Sequence, residues 1–127
     1  MLIEVLCLCL ILCLPASSQV VAGAYTPFRC PNANEIQAFT SLLNAELSNY
    51  LGMEAVGSQE IQILEVSTQV VAGTNYRIKI RLANDQCYLV GVYQSLPSQE
   101  DGSVTLRIIS LTPVTCPMVQ SCIRYAN

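Results

Sequence analysis

From residue 34 the chain reads NEIQAFTSLLNAELSNYLG, and its apolar positions Ile36, Phe39, Leu43, Leu47 and Tyr50 recur at helical intervals. Asn34 stands where an N-cap is expected and Gly52 where a helix stops, so the stretch predicts one long amphipathic helix. Beyond it the period falls to two. EIQILEVSTQVV, NYRIKIRLA, CYLVGVYQS and SVTLRIISL each alternate apolar with polar residues, which predicts four strands. The second alternates most cleanly, with Tyr76, Ile78, Ile80 and Leu82 on one face and Arg77, Lys79 and Arg81 on the other, a solvated face. One face of the sheet is therefore buried against the helix.

The breaks between the strands are short. Ala72, Gly73, Thr74 and Asn75 join the first pair, residues 83–86 the second, and a stretch from Leu96 and Pro97 to Asp101 and Gly102 the third. Hairpin-length connections make the sheet an antiparallel meander, and the fold class is α+β: one long helix on a four- to five-stranded sheet. Successive hairpins point to alternate ends, so the first and third connections lie side by side. The pentapeptide QVVAG occurs at 19–23 and again at 69–73, but its flanks differ and no internal repeat follows. The second copy ends one strand and forms the tip of the first hairpin, where Gly73 accepts a turn conformation that a side chain would resist.

The first residues change the picture of the whole. MLIEVLCLCLILCL is an apolar run too short for a membrane span, and Ala16, Ser17 and Ser18 suit cleavage before Gln19. Residues 1–18 read as a signal peptide and 19–127 as a single domain of an exported, extracellular protein. Cys7, Cys9 and Cys13 leave with the signal, and Cys30, Cys87, Cys116 and Cys122 remain. An even count in an exported chain implies two disulfides, and spacing alone leaves all three pairings open. The 6 basic residues against 8 acidic ones, once Glu4 is removed from the total of 9, give the mature chain a charge of −2. With no basic cluster beyond the alternating Arg77, Lys79 and Arg81, nucleic acid is excluded as a partner.

The chemistry available is equally restricted. There is no histidine, so serine or cysteine nucleophiles lack their usual base, and the four thiols are not set in the pairs that zinc sites favour. The carboxylates are scattered, the glycines isolated, and neither metal nor cofactor is expected. The chain is not an enzyme.

One helix on an antiparallel meander, QVVAGTNY at the first hairpin, SLP at 95–97 and a glycine before the helix together resemble the cystatin superfamily. Similarity is greatest to its stefin branch, through GTNYRIKIRL and VYQSLP, and extends from about Gly23 to about Leu111. The resemblance implies a reversible, tight-binding inhibitor of papain-like cysteine proteases of the cathepsin type, acting as a monomer. Three segments would form a wedge that blocks the active-site cleft without presenting a scissile bond. By similarity these are Val21, Ala22 and Gly23; then Gln69, Val70, Val71, Ala72 and Gly73; then Leu96 and Pro97. The two pentapeptides would be two teeth of one wedge. A non-inhibitory binding or structural protein of the same fold is the alternative.

The chain also departs from the family. Stefins are usually cytosolic and without disulfides, whereas this chain mixes stefin-like strands with an export signal and cysteines. Ala22 is smaller than the residue often found beside that glycine, and there is no Trp for the second loop. Secreted members use an asparagine after the helix against legumain, for which Asn49 is the candidate, although an Asn at a helix C-terminus is commonly structural. They also carry a disulfide between their last two strands, which implies Cys87–Cys116 here and leaves Cys30 with Cys122. The rival pairing joins Cys116 to Cys122 and Cys30 to Cys87.

Overall fold

The computed structural model describes residues 23–52, 60–118 and 122. Helix α1 (Ala33–Leu51) is capped by Asn32 and not by Asn34. The reason is a reciprocal box: Glu35 N donates to Asn32 Oδ1 at 2.8 Å, while Asn32 N donates to Glu35 Oε1 at 3.0 Å. Arg29 fixes Glu35 in that role, since its two terminal nitrogens donate to the two carboxylate oxygens at 2.6 and 2.7 Å. The arginine holds the Glu35 carboxyl below the usual carboxylate range. At the other end Gly52, with φ 86°, stops the helix, and its N–H donates to Ser48 O at 2.8 Å.

Four antiparallel strands follow in the order β1 (Ile61–Val71), β2 (Gly73–Leu82), β3 (Cys87–Gln94) and β4 (Leu106–Val114). Each hydrogen-bonds its sequence neighbours, which is the predicted meander. The first turn is tighter than the sequence suggests: Val71 pairs with Gly73, so Ala72 alone forms the tip and residues 73–75 belong to β2. The last strand starts and ends later than the expected 103–111. Ser98 N donates to Ser103 O and Gly102 N to Ser98 O, both at 2.8 Å, closing a small loop that consumes the residues before Leu106. At its far end Pro113 is tolerated because β4 is an edge strand that needs no donor there.

Alternation sets the core. Phe39, Leu43 and Leu47 of α1 are buried against Val66, Ile78, Ile80, Val90, Val92 and Ile108 of the sheet. Phe39 meets Tyr76 edge to face at 5.0 Å. Fully burying each such side chain is worth about 1.5–3 kcal/mol, so this single layer of contacts is the main source of cohesion. Two bulges, at Ile63/Glu65 in β1 and beside Gly91/Val92 in β3 and β4, adjust the alternation. The second turns Ile109 out, 49% exposed, between residues that pair.

Between Gly23 and α1 the described chain runs antiparallel along β1 without forming a named strand, touching it at isolated bridges from Tyr25 to Gln69 and Arg29 to Val66. Two disulfides hold the periphery. Cys87–Cys116, with Cα atoms 5.2 Å apart, fastens the start of β3 to the chain just past β4. Cys30–Cys122, at 5.5 Å, fastens the segment before α1 to the chain near its C-terminus. Residues 1–18, with Val21 and Ala22, lie outside the described residues.

Candidate functional site

One end of the sheet gathers the segments singled out from the sequence. Gly23 opens the described chain there; Gln69, Val70 and Val71 end β1; Ala72 is the hairpin tip; Gly73 begins β2; Leu96 and Pro97 follow β3. Val70, Val71 and Leu96 are 68%, 41% and 61% exposed, although each is a large apolar residue. The edge is thus an apolar ridge that no other part of the described chain covers.

Side chains behind the ridge fix its three parts to one another. The Gln69 side-chain amide donates to the Gly23 carbonyl, and its Oε1 accepts from Asn75 Nδ2 at 2.9 Å. Gln69 is therefore a bridge: one end of its amide is held by the hairpin and the other holds the N-terminal segment. Tyr93 Oη donates to Ala72 O at 2.6 Å and so supports the hairpin tip from β3. Gly73, with φ 102°, lies so close to that strand that a Cβ would stand 2.5 Å from Gln94 O and 2.6 Å from Tyr93 Oη. The third segment leaves β3 directly after this contact, and Tyr76 Oη donates to Gln94 Oε1 at 3.1 Å to hold its root. Burial raises the Tyr76 phenol above its ordinary pKa, with the Glu35 charge adding to the effect.

Sequence reasoning missed Tyr93, Asn75 and Tyr76, because their contacts depend on the registers of β1 with β2 and of β2 with β3. It also did not foresee the partners of the cations expected on a solvated face, which do point away from the helix side. Lys79 pairs with Glu65 at 3.3 Å, Arg81 with Asp85 at 2.7 Å, and Arg77 is stacked under Tyr25 with its guanidinium carbon 3.8 Å from the ring centroid. The cysteines lie away from the ridge, in the two disulfides. Asn49 is exposed in the last turn of α1. Among the described residues, no group of three or more His, Cys, Asp or Glu could hold a metal.

The arrangement offers a preformed apolar edge with backbone at its tip and no reactive group. Such an edge can enter a narrow cleft with little ordering left to do, and nothing in it performs a reaction.

Comparison with known proteins gives a family model described as "Cystatin domain", matched by residues 37–107. Leukocyte cysteine proteinase inhibitor 1 of Sus scrofa is 33% identical over 85 residues, which is 67% of this chain and 79% of that protein. Cystatin-A of Homo sapiens is 34% identical over 74 residues, 58% of this chain and 72% of that one. Among solved structures, a secreted type 1 cystatin from Fasciola hepatica superposes with a TM-score of 0.57 at 35% identity, covering 76% of this chain and 100% of the other.

Proposed function

The chain belongs to the cystatin family of cysteine protease inhibitors, and from that premise we propose that it is a secreted, reversible, tight-binding inhibitor of papain-like proteases of the cathepsin type. It inhibits by obstruction. Gly23 with Val21 and Ala22 before it, the hairpin residues Gln69 to Gly73, and Leu96 with Pro97 fill the protease's cleft as three adjacent teeth. Like its relatives, it is an inhibitor and not an enzyme.

The observation that carries the reading is the exposure of Val70, Val71 and Leu96 on a ridge fastened from behind by Gln69 and Tyr93. A soluble chain has no reason of stability to display these side chains together, but each would lose water against an apolar cleft wall. Full burial of each is worth about 1.5–3 kcal/mol before the costs of association are subtracted. Fixing the ridge in advance lowers those costs.

Export is supported by three further features. Residues 1–18 have the composition of a signal peptide. The two disulfides suit an oxidising compartment. The matched relatives also include salivary cystatins from ticks and the secreted cystatin of Fasciola hepatica. The test is titration of the chain from Gln19 against papain and a cathepsin, with residual activity recorded against inhibitor concentration. Stoichiometric, reversible loss of activity is expected. No inhibition of either enzyme favours a non-inhibitory protein of the same fold.

A further inference from the structure

On the sheet face opposite α1, Arg77 stands in register with Ser67, while its neighbour Ile78 is fully buried on the helix side. Its guanidinium carbon is 3.8 Å from the centre of the Tyr25 ring and 5.4 Å from that of Phe28. Lys79 Nζ lies 4.2 Å from the same Phe28 ring, so two aromatic residues of the N-terminal segment sit over two cations of β2. Arg77 Nε is buried and has no hydrogen-bond partner. Nor does Arg77 form an ion pair among the described residues, since Glu65 is taken by Lys79 and Asp85 by Arg81. A buried donor left without a partner is costly, and the contact that accompanies that cost here is the stack with Tyr25.

The position of Tyr25 makes the stack consequential. Thr26, next in the chain, is fastened to β1: its N–H donates to Thr68 O at 2.8 Å, and its carbonyl accepts from Ser67 Oγ at 2.6 Å. Tyr25, the next residue toward the ridge and two after Gly23 in the chain, bridges to Gln69, whose side chain also holds the Gly23 carbonyl. These bonds point the segment at the hairpin tip through backbone groups. The ring of Tyr25 held over Arg77 anchors the same stretch by a side chain, on the opposite face from the helix.

We propose that Arg77 is a positioning residue for inhibition, aiming the N-terminal segment at the protease through its stack with Tyr25. The proposal rests on the inhibitor reading above. Arg77 touches no protease; it removes in advance the disorder that Gly23 and the residues before it would otherwise lose on binding. A planar guanidinium is needed for this role, and a lysine would serve it less well.

The experiment uses two lengths of chain, from Gln19 and from Tyr25, each with and without R77A, and follows association with papain and dissociation from it. In the longer chain R77A should raise the dissociation rate about 3- to 10-fold, with R77K between it and the parent. In the shorter chain, which lacks the residues being aimed, R77A should leave the rate within about 1.5-fold of its parent. Equal effects in both lengths would mean that Arg77 only supports the fold, and would overturn the proposal. So would an unchanged rate in the longer chain. Failure of the unmutated longer chain to inhibit sinks the inhibitor reading itself. Amide exchange at Thr26 and Arg29 tests the stack without any protease: both should exchange faster in R77A, and unchanged protection overturns it.

Discussion

The phenolic hydroxyl of Tyr93 donates to the carbonyl of Ala72 at 2.6 Å, so a side chain of β3 holds the single residue that joins β1 to β2. The tip of a hairpin has no neighbour of its own to bond, and here its carbonyl is satisfied from the adjoining strand. Y93F keeps the ring and removes the bond. A hydrogen bond of this kind is worth about 0.5–1.5 kcal/mol net, so dissociation of a papain complex should quicken about 2- to 12-fold with little change in association. Folding stability should fall by no more than about 1 kcal/mol, because the bond is exposed. Stopped-flow rates for the two proteins decide the matter, and equal dissociation rates would show that the tip needs no support.

Gly73 and Gly23 provide a controlled pair. Both adopt positive φ, 102° and 93°, yet a Cβ at Gly73 would strike Gln94 O and Tyr93 Oη, whereas at Gly23 nothing lies within 4 Å. Backbone strain alone costs of order 1–3 kcal/mol, and overpacking adds a similar amount. G73A, which carries both costs, should therefore destabilise the fold by about 2–6 kcal/mol in urea unfolding, and G23A, which carries the strain alone, by about 1–3 kcal/mol. Equal losses would indicate that the close approach of β2 and β3 at Gly73 yields without cost.

Period-two alternation made the meander legible, because a half-buried sheet can be written in few other ways; Ile78 and Ile80 are buried as their spacing requires. The helix cap was misread by two residues. Asn32 and Asn34 both suit the position, and what separates them is that Glu35, held by Arg29, closes a reciprocal box with Asn32. Contacts of this kind join residues by register and three-dimensional path, not by spacing. For the same reason Gln69 could be placed at the ridge from its motif, whereas its bonds to Asn75 and Gly23 and the stack of Tyr25 on Arg77 could not be read from the chain.

The pairing of Glu35 with Arg29 carries a pH dependence whose sign is fixed. The hydrogen bonds from Arg29 lower the Glu35 pKa in the folded state, with the Asn32 N–H adding to the effect and burial partly opposing it. The unfolded chain then binds a proton more readily than the folded one. Stability from this group is complete above the ordinary carboxylate range and is lost as pH falls through the lowered value. E35Q should thus be less stable than the parent by about 1 kcal/mol at neutral pH, a modest figure because the Arg29 side chain is 43% exposed. Below about pH 4 the difference should shrink as the parent protonates. Urea midpoints measured from pH 7 to pH 2.5 will show whether the two curves converge; a constant gap would assign the effect to capping alone.

The two disulfides close loops of very different length and should contribute unequally. Cys87–Cys116 spans 29 residues and Cys30–Cys122 spans 92. In the chain-entropy account the loss of unfolded-state freedom grows with the logarithm of that span, giving about 3.6 kcal/mol for the first bond and about 4.6 kcal/mol for the second. Folded-state burial does not separate the two, since Cys87 is 4% and Cys122 8% exposed and each double serine variant leaves one polar group in a packed site. C30S/C122S should therefore lose more stability than C87S/C116S, by about 1 kcal/mol. The two variants should also differ in function. C30S/C122S loosens the segment that leads to Tyr25 and Gly23 and should speed dissociation from papain. C87S/C116S, whose bond lies at the opposite end of β3 from the ridge, should leave that rate close to the parent value under conditions where both proteins remain folded. Slower protease release from C30S/C122S than from C87S/C116S would contradict the assignment of the N-terminal segment to the ridge.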